Sequence, residues 1–244
     1  RSVSFDPIGI IRSPFTDKFG IPRQPRLVSA AEARLELLPP YDREEAFTGL
    51  DGFSHVWLIF VFHDDCLDAG WRPMVRPPRL CGRAKAGVFA SRATYRPNPI
   101  GISAVSQHGL TRDGSGLALE LAGVDLLDGT PVLDIKPYLP YADCVEGATG
   151  GFAAIAPPRR WVIRFSAAAE AGIRRHDPDG RLRLRALIEQ VIGQDPRPGY
   201  LDRYPERRRH GLRLYDLDIA WELQRDDEEG HVLVTKITPS ARNP

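Results

Sequence analysis

Gly87-Val-Phe-Ala-Ser-Arg-Ala-Thr-Tyr-Arg-Pro-Asn-Pro-Ile-Gly101 is the stretch on which the reading of this chain turns. Its first part, residues 88–90, is short and apolar and predicts a buried strand. Its second part cannot be regular structure. Pro97 and Pro99 lack a backbone N–H, fix φ, and push Arg96 and Asn98 out of the helical region. Gly101 then permits close backbone approach. The stretch predicts a stiff loop at a strand end that presents Arg92, Arg96 and Asn98. Guanidinium, carboxamide and fixed peptide dipoles suit a polar or anionic small molecule. A purely structural proline turn would have the same composition.

Working outward, the first 143 residues read as short strands. Residues 5–13 and 31–38 predict two, with a short helix near 43–47. Residues 54–62, Ser-His-Val-Trp-Leu-Ile-Phe-Val-Phe, are almost continuously apolar and predict a strand covered on both faces. His63-Asp64-Asp65 follows at its end, where polar residues either line a site or meet solvent. A metal there lacks a second clustered histidine. Residues 71–83 set Arg72, Arg76, Arg79 and Arg83 among three prolines behind Trp71. Such a basic segment either tracks phosphates or merely connects. Strands at 102–110 and 117–122 are joined by a turn. Asp128-Gly129 marks a tight turn. Residues 132–135 form a strand running into Asp134-Ile-Lys-Pro-Tyr138. The count, about seven short strands without a long helix, predicts a single β-barrel or sandwich.

Residues 146–158 have the composition of a linker. Beyond it come a strand at 161–165, a helix capped by Ser166, and an amphipathic helix over 182–193. Asp195-Pro-Arg-Pro198 is a second proline-fixed loop, around Arg197. Residues 212–223 alternate with a slip in phase that predicts a bulge at Tyr215-Asp216. Residues 232–237 return as a partner strand. The expected division is a mostly β domain over 1–150 and a small α+β domain over 158–244.

Composition excludes more than it assigns. Lys and Arg total 33 against 32 Asp and Glu, so net charge leaves no footprint. Cys66, Cys81 and Cys144 form no C-x-x-C pair, which argues against a zinc ribbon or a disulfide framework. No apolar run is long enough to span a bilayer, and a cytoplasmic location is expected. There is no G-x-G-x-x-G after a strand, no Walker loop, no H-E-x-x-H and no G-x-S-x-G. A nucleotide-like ligand would therefore not bind in the Rossmann manner.

Pro22-Arg-Gln-Pro25, Gly52-Phe-Ser-His55, Phe60-Val-Phe-His63, Trp71-Arg-Pro, Arg76-Pro-Pro-Arg-Leu80, Arg96-Pro-Asn-Pro-Ile-Gly101, Asp128-Gly-Thr-Pro131, Asp134-Ile-Lys-Pro-Tyr138 and Asp195-Pro-Arg-Pro198 together resemble the TrmO family, in order from about residue 5 to residue 223. The resemblance implies a non-Rossmann β-barrel methyltransferase that uses S-adenosyl-L-methionine and works as a homodimer. Its implied substrate is N6 of threonylcarbamoyladenosine at tRNA position 37, in the anticodon loop. Carried onto this chain, the implied cofactor residues are Arg23, Gln24, Pro25, His63, Asp64, Arg92, Ile102, Leu127, Asp128, Gly129 and Thr130. Arg72, Arg76, Arg79, Arg83, Arg96, Lys136 and Arg197 are candidates for the tRNA side. The proton acceptor is not assigned; Arg96, Asn98, Asp134 and Tyr138 are the catalytic candidates. A methyltransferase for a small molecule and a non-catalytic nucleotide- or RNA-binding barrel are the alternatives. Digesting the methylated product to nucleosides separates the three.

Overall fold

The computed structural model describes residues 2–62, 70–80, 84–158, 161–197, 201, 204, 206–224 and 230–241. The chain divides into two compact units that do not follow linear order. The first comprises Arg1–Arg12, Ala33–Ala122 and Gly129–Ala156; the second comprises Ser13–Glu32, Gly123–Asp128 and Pro157–Pro244.

Alternation builds the first unit. Strand β3 (His55–Val61) buries Val56, Leu58 and Phe60, while His55, Trp57, Ile59 and Val61 remain half-buried. The strand expected to be covered on both faces is thus covered on one. The apolar side chains at odd positions had masked a period of two. The other strands of this sheet are β1 (Gly9–Arg12), β2 (Glu32–Leu37), β6 (Ile100–Asp113), β7 (Gly116–Ala122) and β8 (Pro131–Pro137). They follow one another as β1-β2-β7-β6-β3-β8, and β8 returns to β1 through Gly9↔Val132, so the sheet closes on itself. Closure removes the exposed edges that invite wrong pairing. Ile11, Leu35, Leu58, Val105, Leu119 and Val132 are fully buried.

Between β3 and β6 lie two short strands, β4 (Met74–Val75) and β5 (Ala86–Gly87), paired antiparallel. Val88–Ala90, expected as a strand, is a single 3-10 turn. The Ser91 hydroxyl donates to the Val88 carbonyl at 2.9 Å and the Ser91 N–H reaches the same oxygen at 3.2 Å. That local bonding closes the turn in place of a ladder.

The second unit is built on a sheet ordered β10-β11-β12-β9, from β9 (Val162–Phe165), β10 (Arg209–Leu214), β11 (Leu217–Gln224) and β12 (His231–Pro239), with β9 parallel to β12. Ser166 accepts from the Ala169 N–H at 3.1 Å and starts the helix Ala167–His176. The helix Leu184–Gly193 buries Leu184, Leu187, Ile188, Val191 and Ile192. Tyr215-Asp216 is not a bulge but the turn of a β10–β11 hairpin, with Leu214 paired to Leu217. Tyr215 adopts φ 55°, which reverses the chain, and its N–H donates to the Pro14 carbonyl at 2.7 Å. The register shift lies instead between Ala220 and Trp221. Among the described residues no helix is long and apolar enough to cross a membrane.

Arg197 is 7% exposed and forks onto Asp195, with Nε to Oδ1 at 2.7 Å and Nη2 to Oδ2 at 2.9 Å. Its guanidinium also lies 5.5 Å from the centre of the Trp161 ring. His210 packs against Trp221 with ring centres 4.6 Å apart, and its Nε2 is buried without a hydrogen-bond partner among the described residues. Burial first, then the Arg197 cation, hold the His210 pKa below its ordinary 6.5.

Two outcomes are expected. A Cβ at Gly101 would overlap the ring of Phe60, which Gly101 faces across the β3–β6 ladder. Gly101→Ala should therefore cost about 1–3 kcal/mol in a urea titration. His210 is kept neutral by the fold, so the folded state binds fewer protons than the unfolded chain once pH falls below 6.5. Stability should decline with falling pH in that window, and His210→Gln should flatten the decline in urea midpoints.

Candidate active-site face and cofactor loops

The closed sheet places several of the predicted residues on one outward face. Asp134 stands opposite Ile59 and Lys136 opposite Trp57 across the β3–β8 ladder. Ile102 stands opposite Ile59, and Ser106 opposite His55, across the β3–β6 ladder. Tyr138 continues the face: its N–H donates to the His55 carbonyl at 3.0 Å, and its ring lies 5.6 Å from that of Trp57. The same period of two that fills the interior sets these side chains outward. Asp134 binds the Ile135 N–H through Oδ1 at 2.9 Å and the Lys136 ammonium through Oδ2 at 2.8 Å. Both ring nitrogens of His55 are engaged, Nδ1 with the Ser54 hydroxyl at 2.8 Å and Nε2 with that of Ser106 at 3.2 Å. Ile102 is 50% exposed, an unusual degree for an isoleucine at mid-sheet.

His55 and Trp57 were not singled out from the sequence as site residues. The signal was there, in the alternation along 55–61, but it was hidden by side chains that are apolar on both faces.

The loop before β6 is rigid for reasons beyond its prolines. Arg96 Nη1 donates to the carbonyls of Val88 at 3.1 Å and Ser91 at 2.8 Å, and its guanidinium lies over Phe89. Pro99 accepts from the Phe62 N–H at 2.7 Å, and Tyr95 from the Arg72 N–H at 3.2 Å. The Arg72 guanidinium lies 4.7 Å from the Tyr95 ring centre. Asn98 and Arg92 are exposed on this loop, as are Arg72 and Arg76 on the preceding segment, while Arg79 is half-buried.

In the second unit, the loop bearing Arg23, Gln24 and Pro25 is tied to residues 123–128. The Arg26 N–H donates to the Gly123 carbonyl at 2.8 Å, with Arg26 itself at φ 67°. Ser13 pins the following turn. Its N–H donates to Asp128 Oδ1 at 2.9 Å and its hydroxyl to the Leu126 carbonyl at 2.7 Å, and the Asp128 N–H returns to Phe15 at 2.8 Å. The structure thus brings Arg23, Gln24 and Pro25 into one unit with Leu127 and Asp128. Ser13 was missed because a serine at a strand end carries no sequence signal for a partner more than 100 residues away. In the first unit, the Gly129 N–H donates to Ile11 and Thr130 accepts from the Ile11 N–H, at 2.8 and 2.9 Å. Gly129 has φ 82°, as a tight turn at Asp128-Gly129 requires.

Arg197 is engaged by Asp195 of its own loop. His63, Asp64, Arg83 and Pro198 lie outside the described residues. Among the described residues no group of three or more His, Cys, Asp or Glu side chains is arranged to hold a metal.

Comparison with known proteins bears on the family and the fold. The tRNA-methyltransferase O N-terminal domain matches residues 10–144, and the TrmO C-terminal domain matches residues 158–240. The chain is 51% identical to a Pseudomonas aeruginosa protein whose name is that of an S-adenosylmethionine-dependent methyltransferase, over 92% of this chain and 94% of that one. It is 42% identical to the tRNA (adenine(37)-N6)-methyltransferase of Escherichia coli, over 91% and 94%. The crystal structure of TrmO from Pseudomonas aeruginosa superposes with a TM-score of 0.79 at 44% identity, covering 98% of this chain and 99% of that one. With both of its halves matched and its fold shared along nearly the whole length, the chain belongs to the TrmO family.

Proposed function

We propose that this protein transfers a methyl group from S-adenosylmethionine to N6 of adenine 37 of tRNA, with threonylcarbamoyladenosine as the base modified. The observation that carries the reading is the outward face of Ile102, Trp57, Asp134, Lys136 and Tyr138 on a closed sheet. An aromatic and aliphatic surface edged by a carboxylate and an ammonium suits a splayed-out, modified base better than a small aliphatic substrate. We read the closed sheet as a β-barrel scaffold and the protein as a homodimer. The exposed Phe89 and Ile100 are apolar surface that supports association. A tRNA substrate is in keeping with a cytoplasmic location.

The residues present fit the cofactor. Arg23 is an exposed cation on a loop fixed by Pro22 and Pro25, suited to the carboxylate of an amino-acid end. The turn through Leu127, Asp128, Gly129 and Thr130 is locked by Ser13 and by the Ile11 backbone, so its peptide groups are pre-set for reading an adenine edge. Ile102 supplies apolar contact, and Arg92 adds a second exposed cation. When bound, the cofactor supplies an electrophilic methyl on a sulfonium centre.

The rest of the chemistry falls to positioning. An exocyclic amine is a weak nucleophile because its lone pair is delocalised into the ring, so alignment and an acceptor for its N–H matter more than a strong base. Asp134 offers a carboxylate oriented by the Ile135 N–H and Lys136. Lys136 and the basic segment of Arg72, Arg76 and Arg79 offer charge to the threonyl carboxylate and the RNA backbone. With its Nη1 bound to two carbonyls of its own loop, Arg96 acts as a positioning residue that sets Asn98. Arg197 orders its loop in the same way.

Nucleoside mass spectrometry of tRNA incubated with protein and cofactor should show a methylated threonylcarbamoyladenosine. Methylation of unmodified adenosine alone would overturn the assigned base, and no methylated nucleoside would overturn the activity. Arg96→Ala removes charge-assisted bonds of about 1.5–3 kcal/mol, so kcat/KM should fall roughly tenfold to a hundredfold. Arg96→Lys should fail to restore it, because lysine lacks the planar guanidinium that lies over Phe89 while bonding both carbonyls. Full recovery with lysine would return Arg96 to a direct role as a charge on the substrate.

A further inference from the structure

The second unit carries a cleft of about 610 Å³. Phe19, Arg207, Arg208, Arg209 and His210 line it, and none of them appears among the residues assigned above. We propose that this cleft is a second RNA-binding surface, gripping the phosphodiester backbone of the tRNA away from the target base. The proposal rests on the tRNA reading given above.

Three successive arginines are presented here on ordered backbone. The Arg207 N–H donates to the Tyr204 carbonyl at 3.0 Å, and the Arg208 carbonyl accepts from Leu223 of β11 at 2.9 Å. Arg209 begins β10 opposite Glu222. A guanidinium held on a fixed backbone loses less freedom on meeting a phosphate than one on a loose tail. The side chains project into solvent: Arg207 and Arg208 are exposed, and the Arg209 side chain is 90% exposed.

The charge balance of the lining favours an anion. Two carboxylates share it, Glu206 and Glu222. Glu222 already faces Arg209, Nε to Oε2 at 3.7 Å, so its charge is largely matched. Three guanidiniums against two carboxylates leaves an excess cation, with Arg207 and Arg208 turned to solvent. His210 closes the wall of the cleft with its ring against Trp221, and as a neutral imidazole it leaves the charge balance to the arginines.

Aromatic rings make the ligand a nucleic acid rather than a free phosphate. Phe19 lines the cleft half-exposed, and Tyr204, 44% exposed, lies under the Arg207 guanidinium at 5.2 Å from its ring centre. Guanidiniums interleaved with accessible rings follow a backbone while bases stack beside it. Such a surface reads no sequence. It adds affinity and orientation to a substrate whose identity is read elsewhere.

The experiment compares wild type, R207A/R208A and R207K/R208K for affinity to full-length tRNA over a range of salt, with cofactor binding by calorimetry as the control for folding. Arg209 is left in place because of its Glu222 partner. The alanine pair should lose about tenfold or more in tRNA affinity, and its log–log salt slope should shrink by roughly 1.5 for two phosphate contacts. Cofactor affinity should be unchanged, and the lysine pair should recover the slope. An alanine pair with wild-type affinity and slope overturns the proposal. So does a loss that the lysine pair shares, which would mean a structural role. If wild type itself shows no salt-dependent tRNA binding, the tRNA reading fails with it; if wild type binds with salt dependence and the alanine pair matches it, this inference alone fails.

Discussion

The first unit depends on β3 being hydrogen-bonded along both edges, to β6 on one side and β8 on the other. Those two registers fix which residues face the interior. They send Val56, Leu58 and Phe60 into the core and hold His55, Trp57 and Ile59 outward. A one-residue slip of β8 would put Asp134 and Lys136 into an apolar interior, and one of β6 would exchange its inward and outward residues. The tight seat of Phe60 against Gly101 blocks such a slip, since only glycine leaves room for the ring. Core and candidate site are therefore two faces of the same ladder.

Much of this was legible in the sequence. Strand positions followed from period-two patterns, and the hairpin at 113–116 and the turn at Asp128-Gly129 followed from their turn residues. The Ser166 cap and the buried face of the helix Leu184–Gly193 followed from residue type and spacing. Three readings failed for local reasons. The strand at 54–62 looked doubly buried because the outward positions are also apolar. Residues 88–90 looked like a strand because pattern does not register a serine hydroxyl that closes a turn. Tyr215 looked like a bulge because a non-glycine residue at positive φ is not anticipated from its type.

The site was less legible than the fold. Proline-fixed loops announced where polar groups would be held, and the family resemblance supplied roles for them. What neither supplied was the bonding that decides what each arginine does. Arg96 and Arg197 look equally available in the sequence, yet each binds partners within its own loop. Arg207 and Arg208 sit in an unremarkable basic run, yet the fold turns them outward beside aromatic rings. Long-range pairings such as Ser13 with Leu126 depend on tertiary closure, and no local pattern encodes them.

The second compact unit gathers Ser13–Glu32 and Gly123–Asp128 together with Pro157–Pro244. A ribosome releases those pieces in three instalments. The Arg23-Gln24-Pro25 loop emerges early, but the helix that accepts Ala30 through Gln190, at 3.0 Å, is synthesised some 160 residues later. Domains that fold from the N-terminus onward as they are made cannot complete this one before its last strand appears. The loop proposed to hold the cofactor is therefore braced only once the helix Leu184–Gly193 has been made, so an element near the start of the chain waits on one far along it.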